Sequence, residues 1–273
     1  MKKFIFLLIC IVFAEIGCKN NKPVKTTLLE DYTPYGQYPE RIIGKVEKVV
    51  EKNYWGVAEG ESFIKGNPLT VKARDTISWT NDFEAAFDNS GDLVSCSTMD
   101  ENGKTISKWV LAKSNGILTS AEYTFNDSLR FYQKLKCNET GDIIEEVQFR
   151  PLVDTLIETW KIIRDSTNVM IEYQKIDYKG NLSRRYPVKY DMESRFTGLE
   201  TYNEIGELLS FNRITYNDKG IMAELIFYDK DKKVSNANYF TYEYDQRGNW
   251  IKAIVKDDKG NVVIEERKYT YFE

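Results

Sequence analysis

The chain is expected to be all-β: an antiparallel β-meander of repeated hairpins, either an open twisted sheet or rolled into a barrel. Three observations predict this. A turn signature of Asp or Asn, two variable residues and Gly recurs from residue 88 to residue 260. The segments between copies alternate in apolarity with a period of two. Turn glycines also fall 12 to 14 residues apart, at Gly91–Gly103, Gly206–Gly220 and Gly248–Gly260. That spacing fits one strand of ordinary length plus a tight loop.

The full-strength turns are Asp88–Gly91, Asp100–Gly103, Asn138–Gly141, Asn203–Gly206, Asn217–Gly220, Asp245–Gly248 and Asp257–Gly260. Asp or Asn in first position can accept a hydrogen bond from a backbone N–H two residues on. Gly in fourth position supplies the positive φ that closes a type I turn with a bulge. Weaker copies fall where a turn is due, at Asn115–Gly116, Lys179–Gly180, Asp191 to Ser194 and Asp229 to Lys232. Between turns, Phe240, Tyr242 and Tyr244 alternate with Tyr239, Thr241 and Glu243. Likewise, Ile251, Ala253 and Val255 alternate with Trp250, Lys252 and Lys256. Residues 151–164 admit two readings. Leu152, Leu156, Trp160 and Ile163 make a helical stripe, whereas Leu156, Glu158, Trp160 and Ile162 alternate as in a strand. All neighbouring segments read as β, which favours the strand.

Residues 1–17 read as a signal peptide. Lys2 and Lys3 precede an apolar run from Phe4 to Ala14, too short to span a bilayer comfortably. Gly17–Cys18 resembles the bacterial lipobox, with a departure at Glu15 where an apolar residue is usual. The resemblance implies lipidation of Cys18, with residues 18–40 as a polar, lipid-anchored tether and 41–273 as the β-repeat domain. No acidic pair follows Cys18, so the expected location is the cell envelope, at the outer membrane and facing the periplasm.

Loss of residues 1–17 takes the formal net charge from −4 to −5, with both signs interspersed. Nucleic acid needs a basic stripe and is not an expected partner. Of the four cysteines, Cys10 leaves with the signal and Cys18 carries the lipid, leaving Cys96 and Cys137. In a simple meander these two lie too many strands apart to bridge, so two unpaired thiols are expected.

Tyr242-Glu-Tyr-Asp245-Gln-Arg-Gly248-Asn-Trp250 resembles the YD repeat of Rhs-type proteins. Tyr216-Asn-Asp-Lys-Gly220, Tyr202-Asn-Glu-Ile-Gly206 and Phe87-Asp-Asn-Ser-Gly91 resemble it more loosely. The pattern over residues 42–273 is similar to short repeat lipoproteins of the Bacteroidetes type, including an entry segment like Ile42–Val50. The resemblance implies the β-repeat form and no particular chemistry.

The chain has no histidine, which removes Ser-His-Asp and Cys-His catalysis and His-ligated zinc. The adjacent acids Glu145–Glu146 and Glu265–Glu266 would point to opposite faces of a strand and cannot flank one glycosidic bond. Asp229-Lys-Asp231 and Asp100-Glu-Asn-Gly103 are fragments of a calcium loop without its distal Glu. No catalytic residue, metal site or cofactor is expected. Tyr54, Trp55 and Trp250 sit beside glycines and are the candidate ligand contacts; cross-strand packing is the commoner fate of such aromatics. The expected function is a non-enzymatic envelope lipoprotein whose extended β surface binds a protein or glycan or gives structural support. A surface of that kind should carry a contiguous exposed aromatic patch. The alternatives are a closed barrel carrying a small apolar or glycan ligand, and, less favoured, a carboxylate-dependent glycan hydrolase.

Overall fold

The computed structural model describes residues 26–29, 40–77, 81–139 and 141–273. The signal segment and Cys18 lie outside these residues. β1 (Thr26–Leu29), in the expected tether, pairs antiparallel with β2 (Glu40–Ile43), which runs from the last tether residue into the expected repeat domain.

The remaining strands are β3 (Val46–Glu59), β4 (Ser62–Pro68), β5 (Asp82–Phe87), β6 (Leu93–Met99), β7 (Thr105–Ser114), β8 (Ile117–Phe125), β9 (Ser128–Cys137), β10 (Ile143–Arg150) and β11 (Thr155–Arg164). They continue as β12 (Met170–Asp177), β13 (Leu182–Tyr190), β14 (Phe196–Asn203), β15 (Leu208–Tyr216), β16 (Met222–Asp229), β17 (Val234–Tyr244), β18 (Trp250–Asp257) and β19 (Val262–Tyr271). The hydrogen-bonded order follows the sequence from β3 to β19 and returns on itself through the β19–β3 pairing. The chain is therefore a closed antiparallel β-barrel in meander order. The strand reading of residues 155–164 holds; a single 3-10 turn, Pro151–Val153, precedes it. A short helix, α1 (Val71–Ile77), interrupts the repeat, with Thr70 Oγ1 accepting the Ala73 N–H at its start.

Each expected turn takes the geometry its residues dictate. At the last copy, Gly260 N donates to Asp257 O and Asp257 N donates to Asn261 O. The Asp257 Oδ1 atom accepts from Lys259 N at 3.0 Å and Asn261 N at 2.7 Å. This is a type I turn followed by a left-handed residue, which adds one residue to the strand as a bulge. The backbone pattern is the same at all seven full-strength copies and at four more, beginning at Asp165, Asp177, Asp191 and Asp229. In three of those four the left-handed position is held without glycine, by Asn168, Ser194 and Lys232. Asn115–Gly116 closes differently, as a two-residue turn with φ positive at both positions, and Asn126–Asp127 does the same.

Tyrosine hydroxyls add a second recurring bond. Tyr190 donates to Met170 O at 2.8 Å, Tyr269 to Trp250 O at 2.8 Å, and Tyr216 to Phe196 O. In each case a tyrosine near the end of one strand ties down the first residue of the strand before it. Burial pushes the Tyr216 hydroxyl up to about 12.

The described chain divides into two compact units. One comprises the described residues up to Val110, Thr124–Ser128 and Phe240–Glu273; the other comprises Leu111–Tyr123 and the described residues of Leu129–Tyr239. In the first, β3, β5, β18 and β19 bury Val49, Phe83, Ala85, Ala253, Val255 and Ile264. The alternation expected for β17 holds, with Phe240 buried and Tyr239 exposed. That expected for β18 needs a correction at its start: Trp250 is buried and Ile251 exposed, because Trp250 packs on Arg267. In the second unit the buried set includes Phe131, Trp160, Ile162, Tyr173, Tyr186, Leu199, Ile214 and Leu225. Gly198 is needed there, since at φ 147° a Cβ would lie 2.2 Å from Asn212 O.

Hydrogen bonds from the Lys104 and Asn181 amides hold the Asp100 and Asp177 carboxyls below the usual carboxylate range, and the Thr167 hydroxyl does the same for Asp165. A carboxyl lowered on folding stabilises the fold above its unfolded pKa of about 4, and that contribution is lost as pH falls. Asn203 and Asn217 make the same turn without titrating. Asp177→Asn is therefore expected to flatten the acid limb of a urea-midpoint-versus-pH curve while leaving the neutral midpoint nearly unchanged.

Candidate functional site

The sequence-predicted contacts do not converge. Trp250 is buried, with the Arg267 guanidinium 3.7 Å from its ring. Tyr54 and Trp55 are half-buried and, as consecutive strand residues, point to opposite faces. Lys65 Nζ lies 4.3 Å from the Tyr54 ring, and Trp55 stands opposite Val263. Among the described residues the exposed aromatics Tyr178, Tyr239 and Phe125 lie at the end of β12, on β17 and on β8. The turn residues serve the backbone, as described above. Both remaining thiols are free, Cys96 buried and Cys137 half-buried. Burial raises the Cys96 thiol, which makes it unreactive.

What sequence reading missed is the polar content of the buried strand faces. In the first unit, Glu51 and Arg267 face each other across β3 and β19. They form a buried ion pair at 2.8 Å, with side-chain exposures of 0% and 1%. Asn53 and Glu265 pair in the same register two residues along, and both are buried. A second buried pair, Arg74–Asp82 at 3.0 Å, joins α1 to β5. Arg74 also donates to Leu69 O and Met99 O, while Asp82 accepts from Asn53 N at 2.8 Å. These charges are matched by partners within the unit, and such pairs act structurally.

The second unit is different. Strand register places Gln133, Gln148 and Glu158 side by side on β9, β10 and β11. The next position along brings Glu146 opposite Trp160, and Trp160 opposite Lys175. Gln133, Glu146, Gln148, Glu158 and Trp160 are all buried. Trp160 Nε1 donates to Glu158 Oε1 at 2.9 Å, and Lys175 Nζ lies 2.7 Å from Glu158 Oε2. Tyr186 stacks on Trp160 at 5.6 Å, and burial pushes its hydroxyl up to about 12. Gln133 Nε2 donates to Glu146 Oε2 at 3.4 Å, but its Oε1 has no hydrogen-bond partner. Asn238 on β17 is 0% exposed, and neither of its amide atoms is paired. Buried unpaired carboxamides are costly, at roughly 1–3 kcal/mol each. The face thus combines carboxamides, carboxylates and an indole, a set suited to hydrogen-bonding a polar molecule.

The opposite, exposed faces carry charges in mid-strand: Lys108 on β7, Lys134 on β9, Lys161 on β11 and Arg213 on β15. A lipid-facing strand would lose about 2–4 kcal/mol for each such cation near the bilayer midplane, so these faces are built for water.

No protein-family model and no curated protein matches the chain. Among solved structures it is similar to a porin-like protein from Bacteroides uniformis, with 9% identity and a TM-score of 0.36, covering 82% of this chain and 96% of that one. A porin-like protein from Bacteroides vulgatus gives 8% identity and a TM-score of 0.35, covering 83% and 99%. The Tc holotoxin pore of Photorhabdus luminescens gives 13% identity and a TM-score of 0.23, covering 81% of this chain and 15% of that one. At these TM-scores the likenesses carry no functional weight.

Removing one member of the Glu51–Arg267 pair leaves a buried charge alone. Either Glu51→Leu or Arg267→Met is expected to lose about 3–5 kcal/mol in chemical denaturation. The double variant should recover most of that loss; additive losses would contradict the pairing.

Proposed function

We propose that this chain is a non-enzymatic envelope lipoprotein whose closed barrel binds a small ligand on the buried faces of its strands and acts as a carrier. The observation that supports it most is the buried row Gln133–Gln148–Glu158 with its unpaired Gln133 oxygen. A barrel filled only to be stable would place apolar side chains at those positions. The alternative role, an outward β surface that docks a protein or glycan, has less in its favour, because the candidate contact aromatics Tyr54, Trp55 and Trp250 are half-buried or buried. Its absence of histidine and its turn-bound acids favour binding over catalysis. In this reading the YD-like repeat is a scaffold, and lipidation at Cys18 holds the barrel at the periplasmic side of the outer membrane.

Two measurements on the full-length protein test the two halves. Native mass spectrometry of the protein purified from its own envelope is expected to show a bound small molecule that heat releases. A bare mass, with no thermal shift across a metabolite panel, would contradict the carrier role. Cys18→Ala should leave the membrane fraction, and its retention there would contradict the anchor.

A further inference from the structure

We infer that the exposed face of β9–β12, beside the Pro151–Val153 turn, docks on the surface of a bilayer that carries anionic headgroups. Leu152 is fully exposed and Val153 is 69% exposed, side by side on the turn that joins β10 to β11. Apolar side chains left in water contribute little to folding. The exposed face behind the turn continues this apolar surface. Register sets Tyr132 opposite Phe149 and Phe149 opposite Leu156, and all three are half-buried. The Tyr132 and Phe149 rings stack with centroids 5.2 Å apart, and the Tyr132 hydroxyl donates to Asp154 Oδ1 at 2.5 Å. That bond ties the turn to the stacked rings, so the apolar tip is held in place before it meets a partner.

The next rows along the same face are basic. Lys134 stands opposite Val147, while Lys136 and Lys161 flank Glu145. All three lysines are exposed, and Lys134 Nζ lies 5.0 Å from the Phe149 ring. This cationic face belongs to a chain whose net charge is −4. At the turn end, Tyr178 is 61% exposed, with Lys179 Nζ 5.4 Å from its ring. Its neighbour Asp177 pairs with Glu158 near the start of β11, which places both tyrosines at that end.

Apolar tip, aromatic rings, then cations is the depth order of a membrane interface, from acyl boundary to headgroup phosphates. An acidic peptide would engage the lysines and leave Leu152 and Val153 in water. An apolar groove on a protein would take the tip and gain nothing from the lysines. An anionic bilayer uses both. The lysines stay at headgroup depth, so the face lies on the membrane and does not cross it.

The test uses the full-length protein with the photocross-linker p-benzoylphenylalanine substituted for Leu152, mixed with vesicles of phosphatidylglycerol or of phosphatidylcholine. Mass spectrometry after irradiation counts phospholipid adducts. Adducts are expected on phosphatidylglycerol and should be roughly tenfold fewer on phosphatidylcholine, as they should on phosphatidylglycerol in high salt. Lys134→Ala, Lys136→Ala and Lys161→Ala together should cut the yield by at least about tenfold, since each cation near an anionic surface is worth roughly fivefold in binding. The same cross-linker at Met192, equally exposed on the β13–β14 turn at the opposite end of the strands, should give few adducts. No adduct on phosphatidylglycerol, equal yields from positions 152 and 192, or a yield indifferent to the three lysines would overturn the inference. So would cross-linking in the intact envelope to a protein instead of phospholipid. None of these results bears on the carrier reading, which is tested separately.

Discussion

The Glu51–Arg267 pair spans the seam that closes the barrel, between the strand at its start and the strand at its end, which no local turn can set. Most pairings within the meander are assembled by hairpins, and eleven of the turns share one backbone pattern, in which an Asp or Asn side chain accepts amides two and four residues on, as at Asp245 and Asp257. The β19–β3 pairing instead joins strands separated by most of the chain. A one-residue slip there would move every side chain to the opposite face. Glu51 opposite Arg267, with Trp250 and Phe83 around the guanidinium, penalises such a slip because it would expose the apolar partners and separate two buried charges. Closure also removes the long sheet edges that an open meander would leave for aggregation.

The two units use buried polarity in different ways. In the first, carboxylates meet guanidiniums, and the result is a staple: Arg74 ties a short helix to Asp82, and Arg267 ties β19 to β3. In the second, the buried faces carry the carboxamides Gln133, Gln148 and Asn238 beside Glu146 and Glu158, and Gln133 Oε1 and both Asn238 amide atoms have no hydrogen-bond partner, as is also true of Asn53 Oδ1 in the first. Matched charges hold a fold together. Unmatched amides are more useful to a visitor than to the fold, which is why the ligand reading attaches to β9–β11.

Much of the architecture was legible in the sequence because its cause is local. Asp257 and Gly260 make their turn from their own side chain and φ, and the same holds at Asp88, Asn203 and Asp245. The weaker copies at Asp191 and Asp229 were legible by rhythm, even though Ser194 and Lys232 hold positions glycine would fill more easily. The short helix was not foreseen; it depends on Arg74 finding Asp82 and the Met99 carbonyl, the latter 25 residues away in sequence.

The candidate site was not legible, and the reason is physical. Period-two reading assigns the more apolar phase of a strand to the core. In β10 that phase is Val147 and Phe149, yet these are half-buried while Glu146 and Gln148 are fully buried. Trp250 misled in the opposite sense: a tryptophan beside a turn glycine looks exposed, but a cation from another strand covers it. Apolar periodicity fails wherever the buried face is polar.

The meander closes through β19 and β3 in the register that opposes Glu51 and Arg267. That register is tested most directly by paired cysteines on the outer positions of that seam, Lys48 and Thr270, in a Cys96→Ser, Cys137→Ser background. Lys48→Cys with Thr270→Cys is expected to form a disulfide readily under mild oxidation, whereas Lys48→Cys with Lys268→Cys, displaced by two residues, is not. Equal cross-linking of both pairs, or of neither, would contradict it.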